Sequence, residues 1–350
     1  MNKNKRIFSR TAICAMAFSL VFASGCGSKT EEADNGKITV IVKSQDPYWD
    51  AVKNGATEAA SELGYTIDWQ APENEDVAQG SFVEDAVKGG SKAILIAPSV
   101  ADGLEDSFKV AADKEIPILA VDTDIKSDYK LSCLATNQDA AGGIAARQTE
   151  ALVPEGGEIA VMGHMQDSPT AIGRFGGYFK NLPHTTDCRI PNGYADDNEL
   201  APNTIKARQT GGQPVFTLVD VKFCNNDADL ALEGTLELIN NHPDLKVIYC
   251  TNQTSTIGVG RAIDQLGLKD QVQVVGFDSS DEEIKFVKEG VLDGIVVQSP
   301  YNMGYLGVRY AVKSINDYSI PSAIDTGATF VTQENLNNEE VQMLLHPENY

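Results

Sequence analysis

The sequence predicts an α/β protein of two doubly wound lobes, each with a parallel sheet between layers of helices. Strand-like and helix-like segments alternate along most of the chain, which is typical of βα units. The strand-like segments, such as KAILIAP (92–98), are continuous apolar runs, as expected for strands buried on both faces. The alternation begins again after residue 138, so we expect two successive arrays rather than one large sheet.

The first array alternates short apolar strands with amphipathic helices. In DAVKNGATEAASELG (50–64), alanine and leucine recur at helical spacing, which predicts a helix with one apolar face. The stretch before it, SQDPYW (44–49), is predicted to form a loop. The other elements are strands KITVIVKS (37–44), YTIDWQA (65–71), KAILIAP and IPILAVD (116–122), and helices ENEDVAQGSFVEDAVKGG (73–90) and VADGLEDSFKVAADKE (100–115).

The second array follows the same pattern from residue 139 onwards. Segments whose apolar residues recur at helical spacing alternate with short, continuous apolar runs, which predict helices and strands respectively. The predicted strands are GEIAVMGH (157–164), VFTLVDVKF (215–223), LKVIYCTN (245–252), VQVVGFD (272–278), LDGIVVQ (292–298) and a short one near ATFVT (328–332). The predicted helices are DAAGGIAARQTEALV (139–153), TAIGRFGGYFKNL (170–182), ADLALEGTLELINN (228–241), TIGVGRAIDQLG (256–267), EEIKFVKEG (282–290) and YNMGYLGVRYAVKSIND (301–317).

The start of the chain has the features of a bacterial export signal. A basic stretch precedes the apolar run TAICAMAFSLVF (11–22), which is too short to span a bilayer. Small residues then precede Cys26 and resemble a lipobox, which implies cleavage before Cys26 and attachment of lipid to it. An ordinary secretory signal is the alternative. The polar, acidic stretch GSKTEEADNG (27–36) reads as a flexible tether.

The charge of the chain limits its partners. The formal net charge of −22 becomes −26 once the four basic residues of the leader are removed. So acidic a chain suits neither nucleic acid nor an anionic lipid surface. We therefore expect no nucleic-acid partner, and attachment to the membrane through lipid alone. The basic residues of the leader are Lys3, Lys5, Arg6 and Arg10.

The cysteines after Cys26 are scattered and contain no CxxC pair. Cys133 and Cys250 lie in apolar strand-like runs, which predicts buried free thiols. A disulfide stays open as an alternative, because an exported protein permits one and a single sequence cannot show its pairing. The remaining two are Cys188 and Cys224.

No catalytic signature is present in the sequence. HExxH, GxSxG and Walker motifs are absent. The histidines have no cysteine or carboxylate at ligand spacing, so we expect neither a metal site nor a cofactor. We therefore expect a binding protein and no enzyme. An extracytoplasmic glycoside hydrolase is the remote alternative, because a pair of catalytic carboxylates leaves no local signature.

Polar and aromatic residues gather in the loops that follow the predicted strands. In an open α/β sheet the ligand lies beyond the carboxyl ends of the strands. Aromatic rings can stack on the apolar face of a sugar, while carboxylates, amides and arginine bond its hydroxyls. Tyr48 and Trp49 suit stacking, and packing beneath the first helix is the alternative. The loops are SQDPYW, DTD (122–124), TN (136–137), GHMQDSPTAIGR (163–174), CTNQT (250–254), GFDSS (276–280) and QSPYN (298–302).

An ordered set of motifs resembles the bacterial periplasmic-type sugar-binding proteins of the ribose, galactose and allose class. The motifs are DPYW (46–49), IPILAVDTD (116–124), NQDAAGGIAA (137–146), GRFGGYF (173–179), VIYCTNQTSTIGVGRAI (247–263), VVGFDSS (274–280) and IVVQSP (295–300). The resemblance covers the whole chain after the leader and implies a type I periplasmic binding protein fold. LacI-type repressors share that fold, but they begin with a DNA-binding helix-turn-helix, where this chain has an export signal.

The resemblance implies roles for individual residues. Asp122 would accept hydrogen bonds from sugar hydroxyls, and Arg174 would donate to the sugar, its planar fork suiting two adjacent oxygens. Two positions depart from the family: Thr123 stands where ribose-type members have arginine, and Asn226 where a second stacking aromatic is expected. Capping of a helix is the alternative for Asn252 and for Asp278, and a surface position on a helix is the alternative for Arg174. The other ligand-binding candidates are Asp46, Tyr48, Trp49, Asn137, Asp278 and Gln298.

The expected function is capture of a monosaccharide between two lobes and its delivery to an ABC permease by a monomeric lipoprotein on the outer face of the cell membrane. A receptor that presents a sugar or a furanosyl signal to a chemoreceptor or kinase is the alternative. Three chain crossings, near 134–138, 297–300 and 323–329, would form the hinge. The predicted parts are a leader (1–25), a tether (26–36), a first lobe (37–134 and 299–325), a second lobe (138–297 and 326–334) and a tail (335–350).

The segment 180–214 does not follow the alternating pattern. It contains several prolines and no apolar face, and it is longer than an ordinary connection of about 4–6 residues. A surface insertion, a partner-binding loop and a local frameshift are all open. We expect a disordered excursion with no role in binding a ligand.

Overall fold

The computed structural model describes residues 35–45, 47–72, 79–99, 103–185, 188–189, 204–205 and 215–346. The predictions for the leader, for Cys26 and Asp46, and for most of 180–214 fall outside these ranges. Within them, no helix has both the length and the apolar character needed to cross a membrane.

The described strands form two six-stranded sheets and one short pair. The first sheet has the order β13-β5-β4-β3-β1-β2 and the second the order β14-β12-β11-β10-β6-β9. The strands are β1 Lys37–Ile41, β2 Thr66–Gln70, β3 Ala93–Ile96, β4 Ile118–Val121, β5 Lys130–Ala135, β6 Gly156–Gly163, β7 Cys188–Arg189, β8 Thr204–Ile205, β9 Val215–Phe223, β10 Leu245–Cys250, β11 Gln273–Phe277, β12 Gly294–Gln298, β13 Ala323–Asp325 and β14 Ala328–Val331.

The pairing confirms the predicted fold class. All neighbours in the first sheet run parallel. The second sheet is parallel except where β14 pairs with β12 in the antiparallel direction. Strands such as β3 are buried along their whole length, because helices cover both faces of each sheet. The two-residue strands β7 and β8 form the separate antiparallel pair.

The first nine described helices follow the predicted order, although the first begins earlier than predicted, and a tenth lies where only a tail was predicted. Pro47 opens it, where a missing N–H costs nothing, so Tyr48 and Trp49 lie in its first turn instead of in a loop. The helices are α1 Pro47–Leu63, α2 Gly80–Lys88, α3 Glu105–Ala112, α4 Gln138–Leu152, α5 Pro169–Asn181, α6 Ala228–Asn241, α7 Gln253–Leu266, α8 Asp281–Glu289, α9 Pro300–Ile315 and α10 Glu339–Leu345.

Each sheet has a hydrophobic core packed on each of its two faces. We call the first sheet with α1, α2, α3 and α9 the first lobe, since these helices pack on it. The second sheet with α4 to α8 and α10 is the second lobe. The predicted residue bounds of the lobes stay a prediction. Cys133, Cys224 and Cys250 are buried free thiols, and burial raises the pKa of Cys133 to about 12.

Three crossings of the chain connect the two lobes. The first runs from β5 to α4, the second from β12 to α9, and the third from β13 to β14. The first and third crossings are joined by hydrogen bonds: the Thr326 N–H donates to the Ala135 carbonyl over 3.1 Å, and the Asn137 N–H donates to Asp325 Oδ1 over 3.0 Å. The first and third crossings therefore form one connected region.

Each lobe contains a very close contact between two helices, one of which begins at a crossing. A Cβ atom on Gly304 of α9 would lie 1.9 Å from the carbonyl oxygen of Val52 in α1. A Cβ atom on Gly177 of α5 would lie 1.9 Å from that of Asp139 in α4. Only glycine permits these approaches. Because α4 and α9 begin at the crossings and α1 and α5 carry predicted site residues, the contacts fix the site relative to the crossings.

Candidate functional site

Two aspartates occupy equivalent places at the carboxyl ends of the two sheets. Asp122 follows β4 and Asp278 follows β11, each the third strand from one edge of its sheet. Both have left-handed backbones, with φ of 64° and 73°, which aspartate tolerates better than most residues. The Asp122 N–H donates to the Leu134 carbonyl in the neighbouring strand, and the Asp278 N–H donates to the Val296 carbonyl, each over 2.8 Å. This backbone conformation places both carboxylates beyond the ends of their strands. Uncommon backbone conformations of this kind cluster at functional sites.

The first-lobe site is a compact group around Asp122. The Tyr48 hydroxyl donates to Asp122 Oδ1 over 2.7 Å, and Lys43 Nζ donates to Oδ2 over 3.2 Å. Thr123 joins the same group, since its hydroxyl donates to Asp122 Oδ2 over 2.7 Å and accepts from Lys43 over 2.6 Å. The structure thus brings three predicted residues together with one lysine that the sequence reading omitted.

The adjacent aromatics have different surroundings. Trp49 is 5% exposed and packs in the first-lobe core, as the packing alternative predicts; its stacking role stays a prediction. The Tyr48 hydroxyl points to the site, where it also contacts Met303 Sδ over 3.4 Å. The two rings meet edge-on, with centroids 5.0 Å apart. The helix therefore supplies one polar tip to the site and one core anchor beneath it.

The second-lobe site centres on Arg174, which is only 4% exposed. Its Nη1 donates to the Thr251 carbonyl over 2.6 Å and lies 3.5 Å from Asp278 Oδ2. The guanidinium lies over the Phe277 ring, 3.6 Å from its centroid, a cation–π contact. Gln298 Nε2 donates to Asp278 Oδ1 over 2.7 Å. The alternative of a surface position for Arg174 is therefore wrong.

A buried histidine, which the sequence reading did not select, supports this arginine. His164 Nδ1 lies 2.8 Å from the Thr251 hydroxyl, and Nε2 lies 3.0 Å from the Ser168 hydroxyl. Burial, together with the nearby Arg174, lowers the pKa of His164 to about 4, while Asp278 acts in the opposite direction. The ring is therefore neutral near pH 7 and fixes Thr251, whose carbonyl holds Arg174.

Three predicted asparagines belong to turns and helix ends. Asn252 caps α7 and forms a reciprocal capping box with Ser255, as its alternative predicts, while its Nδ2 donates to Asn226 Oδ1 over 3.1 Å. Asn226 is exposed and has a φ of 58°. Asn137 caps α4 at the first crossing by accepting from the Ala140 N–H. Their ligand-binding roles stay predictions.

The two groups lie close enough to influence each other electrostatically. Burial raises the pKa of Tyr48 well above its ordinary value, and Asp122 raises it further. Asp278 also raises this pKa and Arg174 lowers it, so both second-lobe residues lie within electrostatic reach of a first-lobe hydroxyl. No cluster of three or more potential metal ligands occurs among the described residues.

Strand ends would have revealed the omitted residues. Lys43 follows β1 and His164 follows β6, and β1 and β6 hold equivalent places in the two sheets. Both residues obey the rule that ligands lie beyond the carboxyl ends of strands. Gln138 and Met303 gave no such signal, since they belong to the first turns of helices that follow the crossings.

The fold and the facing strand ends define a class of two-lobed α/β binding proteins. The family model described as a periplasmic binding protein domain matches residues 38–318. The chain therefore belongs to the periplasmic binding protein family.

Curated relatives match nearly the whole chain. The ribose import binding protein of Salmonella typhimurium is 24% identical over 303 residues, covering 87% of this chain and 90% of that protein. The D-allose-binding periplasmic protein of Escherichia coli is 26% identical over 323 residues, covering 89% and 91%. Both relatives are named as periplasmic or import binding proteins.

Solved structures of similar fold include sugar complexes. An ABC transporter solute-binding protein from Agrobacterium vitis with bound D-fucose is 31% identical, covers 89% of this chain and 100% of that one, and has a TM-score of 0.64. One from Agrobacterium radiobacter with D-arabinose is 28% identical, covers 88% and 98%, and has a TM-score of 0.65. A sugar-binding protein from Bacillus halodurans has a TM-score of 0.73 at 23% identity, which shows the fold alone.

Proposed function

We propose that this protein is an exported binding protein that captures one neutral monosaccharide between its lobes and delivers it to an ABC importer. The observation that carries the proposal is the pair of groups at the sheet ends, Tyr48 with Asp122 and Arg174 with Asp278, which lie within electrostatic reach of each other. Family membership and the sugar names of several relatives support it.

The charges of the site favour an uncharged ligand. Lys43 lies 3.2 Å from Asp122, and Arg174 lies 3.5 Å from Asp278. Each lobe therefore balances its own cation and anion. A sugar acid, an amino sugar or a sugar phosphate would add a charge without a partner, which is costly where water is excluded. A neutral polyol adds only hydroxyls, which carboxylate and guanidinium groups bind strongly.

Closure of the lobes brings groups from both of them into contact with the sugar. Asp122 and Asp278 accept from sugar hydroxyls, Arg174 donates to a ring or hydroxyl oxygen, and Tyr48 borders the apolar face of the sugar, with Trp49 packed beneath it. A sugar that contacts both lobes stabilises the closed form and shifts the population toward it. The groups bind without making or breaking a bond, so the protein is a receptor and no enzyme.

The proposal includes attachment to the outer face of the membrane. Cleavage before Cys26 and lipid on its thiol would keep a monomeric receptor close to its permease. Stable anchoring in a membrane needs more than one acyl chain. Mass spectrometry of the exported protein tests this step, since an N-terminal fragment that begins at an acylated Cys26 is expected; an unmodified terminus at another residue would refute the anchor.

A thermal-shift screen of the mature protein tests the ligand class. The panel holds D-arabinose, D-fucose, D-allose and D-ribose, matched with glucuronate, glucosamine and ribose 5-phosphate, and it also includes amino acids and nucleosides. A neutral sugar present at 100 times its dissociation constant should add about 2.7 kcal/mol of stability. The charged analogues should leave the melting temperature unchanged. A shift with amino acids or nucleosides and none with neutral sugars would overturn the proposal.

A further inference from the structure

One glutamine connects the first crossing of the chain to the buried arginine. Gln138 is the first residue of α4. Its Nε2 donates to the carbonyl of Thr136 over 3.1 Å, and its Oε1 accepts from Arg174 Nε over 2.7 Å. A single amide therefore touches both the segment between the lobes and the side chain that faces the ligand.

This contact determines the orientation of Arg174. A guanidinium is planar and rigid, so two fixed N–H groups define its plane. Gln138 holds Nε, and the Thr251 carbonyl holds Nη1 over 2.6 Å. The Phe277 ring supports one face of that plane. Removing the Nε contact leaves the group free to turn about the remaining one.

A second glutamine makes the corresponding contact from the second crossing. Gln298 is the last residue of β12, and its Nε2 donates to Asp278 Oδ1 over 2.7 Å. The Arg174–Asp278 pair, 3.5 Å apart, is thus held on one side by the first crossing and on the other by the second. Rotation at the crossings must move one or both amides.

We infer that Gln138 is a positioning residue that couples the angle between the lobes to the direction in which Arg174 presents its N–H groups. The inference rests on the proposed function, because it assumes that the lobes close on a ligand bound by Arg174. In the closed form the Thr136 carbonyl places the Gln138 amide, and the amide places the guanidinium. When the first crossing rotates, this chain of contacts breaks and the grip loosens.

Two substitutions at Gln138 separate its two contacts. Gln138→Met removes both, whereas Gln138→Glu keeps an acceptor for Arg174 and loses the donor to Thr136. The matched control is Gln342→Met, which removes one amide donor to a carbonyl, that of Leu336, at 2.7 Å in the distant α10. All variants are made in the mature full chain.

The Nε–Hε signal of Arg174 in the NMR spectrum reports its orientation without any sugar. We expect Gln138→Met to shift this signal and expose it to solvent exchange, and Gln138→Glu to keep it protected. Small-angle X-ray scattering of the unliganded protein reports the lobe angle. We expect the radius of gyration to change in both Gln138 variants and to stay unchanged in Gln342→Met. A protected signal in Gln138→Met would overturn the inference, as would unchanged scattering in both Gln138 variants.

Calorimetric titration with D-arabinose, D-fucose and D-allose measures the effect on binding. Gln138→Met should bind about tenfold more weakly, or about 1.4 kcal/mol, and Gln138→Glu more than twofold more weakly. Affinity within twofold of wild type in either variant, or an equal loss in Gln342→Met, would overturn the inference. If wild type binds none of these sugars, the ligand proposal fails for them, and the NMR and scattering measurements still decide the role of Gln138.

Discussion

The two lobes share a frame and differ in how they hold their aspartates. In each, an aspartate with a left-handed backbone follows the equivalent strand, and a helix from the crossing packs closely on the helix that supplies its partner. In the first lobe that partner is Tyr48, assisted by Lys43, whose side chain is 20% exposed. In the second it is Arg174, whose side chain is 4% exposed and held by carbonyl, amide and ring contacts.

This difference separates an adjustable half-site from a fixed one. Lysine is a flexible point charge, and a partly exposed ion pair can rearrange at little cost. A buried guanidinium with several partners cannot move without leaving polar groups unpaired. We therefore expect the second lobe to define where the sugar binds and the first lobe to adapt to which sugar it is.

Exchanging the two cations for methionine tests this contrast most severely. Arg174→Met should lower the free energy of unfolding by about 4 kcal/mol, because it breaks a buried ionic network, and should weaken sugar binding by about 100-fold or more. Lys43→Met should cost about 1 kcal/mol, as for a partly exposed pair. Urea denaturation and calorimetric titration measure both.

Equal losses of stability in these two variants would contradict the contrast between the lobes. The methionine side chain keeps most of the apolar stem in each case, so the comparison isolates the charged group. A large loss of binding in Lys43→Met alone would instead place the fixed half of the site in the first lobe.

The shared frame predicts equal effects in the two lobes at the helix contacts. Gly304→Ala and Gly177→Ala each place a Cβ where a carbonyl oxygen lies 1.9 Å away. Backbone must move in both, so each should cost about 3 kcal/mol. Gly267→Ala, at the left-handed end of α7 with no atom within 4 Å, should cost only about 1 kcal/mol.

Thermal and urea unfolding of the three variants would sharpen the comparison. A cost near zero at Gly177 with a full cost at Gly304 would show that the second lobe tolerates displacement of α5. In that case its rigidity would come from the arginine network alone and not from the helix contact.

The frame was predictable from the sequence because it follows from periodicity. Continuous apolar strands such as β3, with helices between them, fix a parallel sheet, and the strand-end rule pointed to the loops that contain Asp122 and Asp278. The role of Arg174, which lies within α5, came from the family resemblance. The start of α1 was missed because proline was taken as a loop signal, although it is also favoured in the first turn of a helix.

The contacts within the site could not be predicted in the same way. Gln138 and Met303 belong to helices, and each reaches the site only because two helices cross closely. Burial of Trp49 and of Arg174 is likewise set by tertiary packing. Such pairs are separated by many residues in the chain, and periodicity carries no information about them.

The second lobe should also respond to acid through His164, whose counterpart after β1 is Lys43. Burial lowers the pKa of His164 to about 4 from the ordinary 6.5. The unfolded chain therefore binds the proton more tightly, so this residue's stabilisation is present above pH 6.5 and is lost as the pH falls toward 4. The loss should reach about 2 kcal/mol between pH 7 and pH 4.5.

Replacing the histidine isolates this contribution from the other titrating groups. His164→Gln should flatten the fall in unfolding free energy between pH 7 and pH 4.5 relative to wild type, whatever constant offset its lost hydrogen bonds cause. Asp293 provides a control of opposite sign: burial raises its pKa to about 6, so its stabilisation is lost as the pH rises from 4 to 6, and Asp293→Asn should steepen the acid-side fall. Parallel pH profiles for wild type and His164→Gln would mean that the imidazole is not held neutral beside Arg174, and the fixed character of the second lobe would then lack its support.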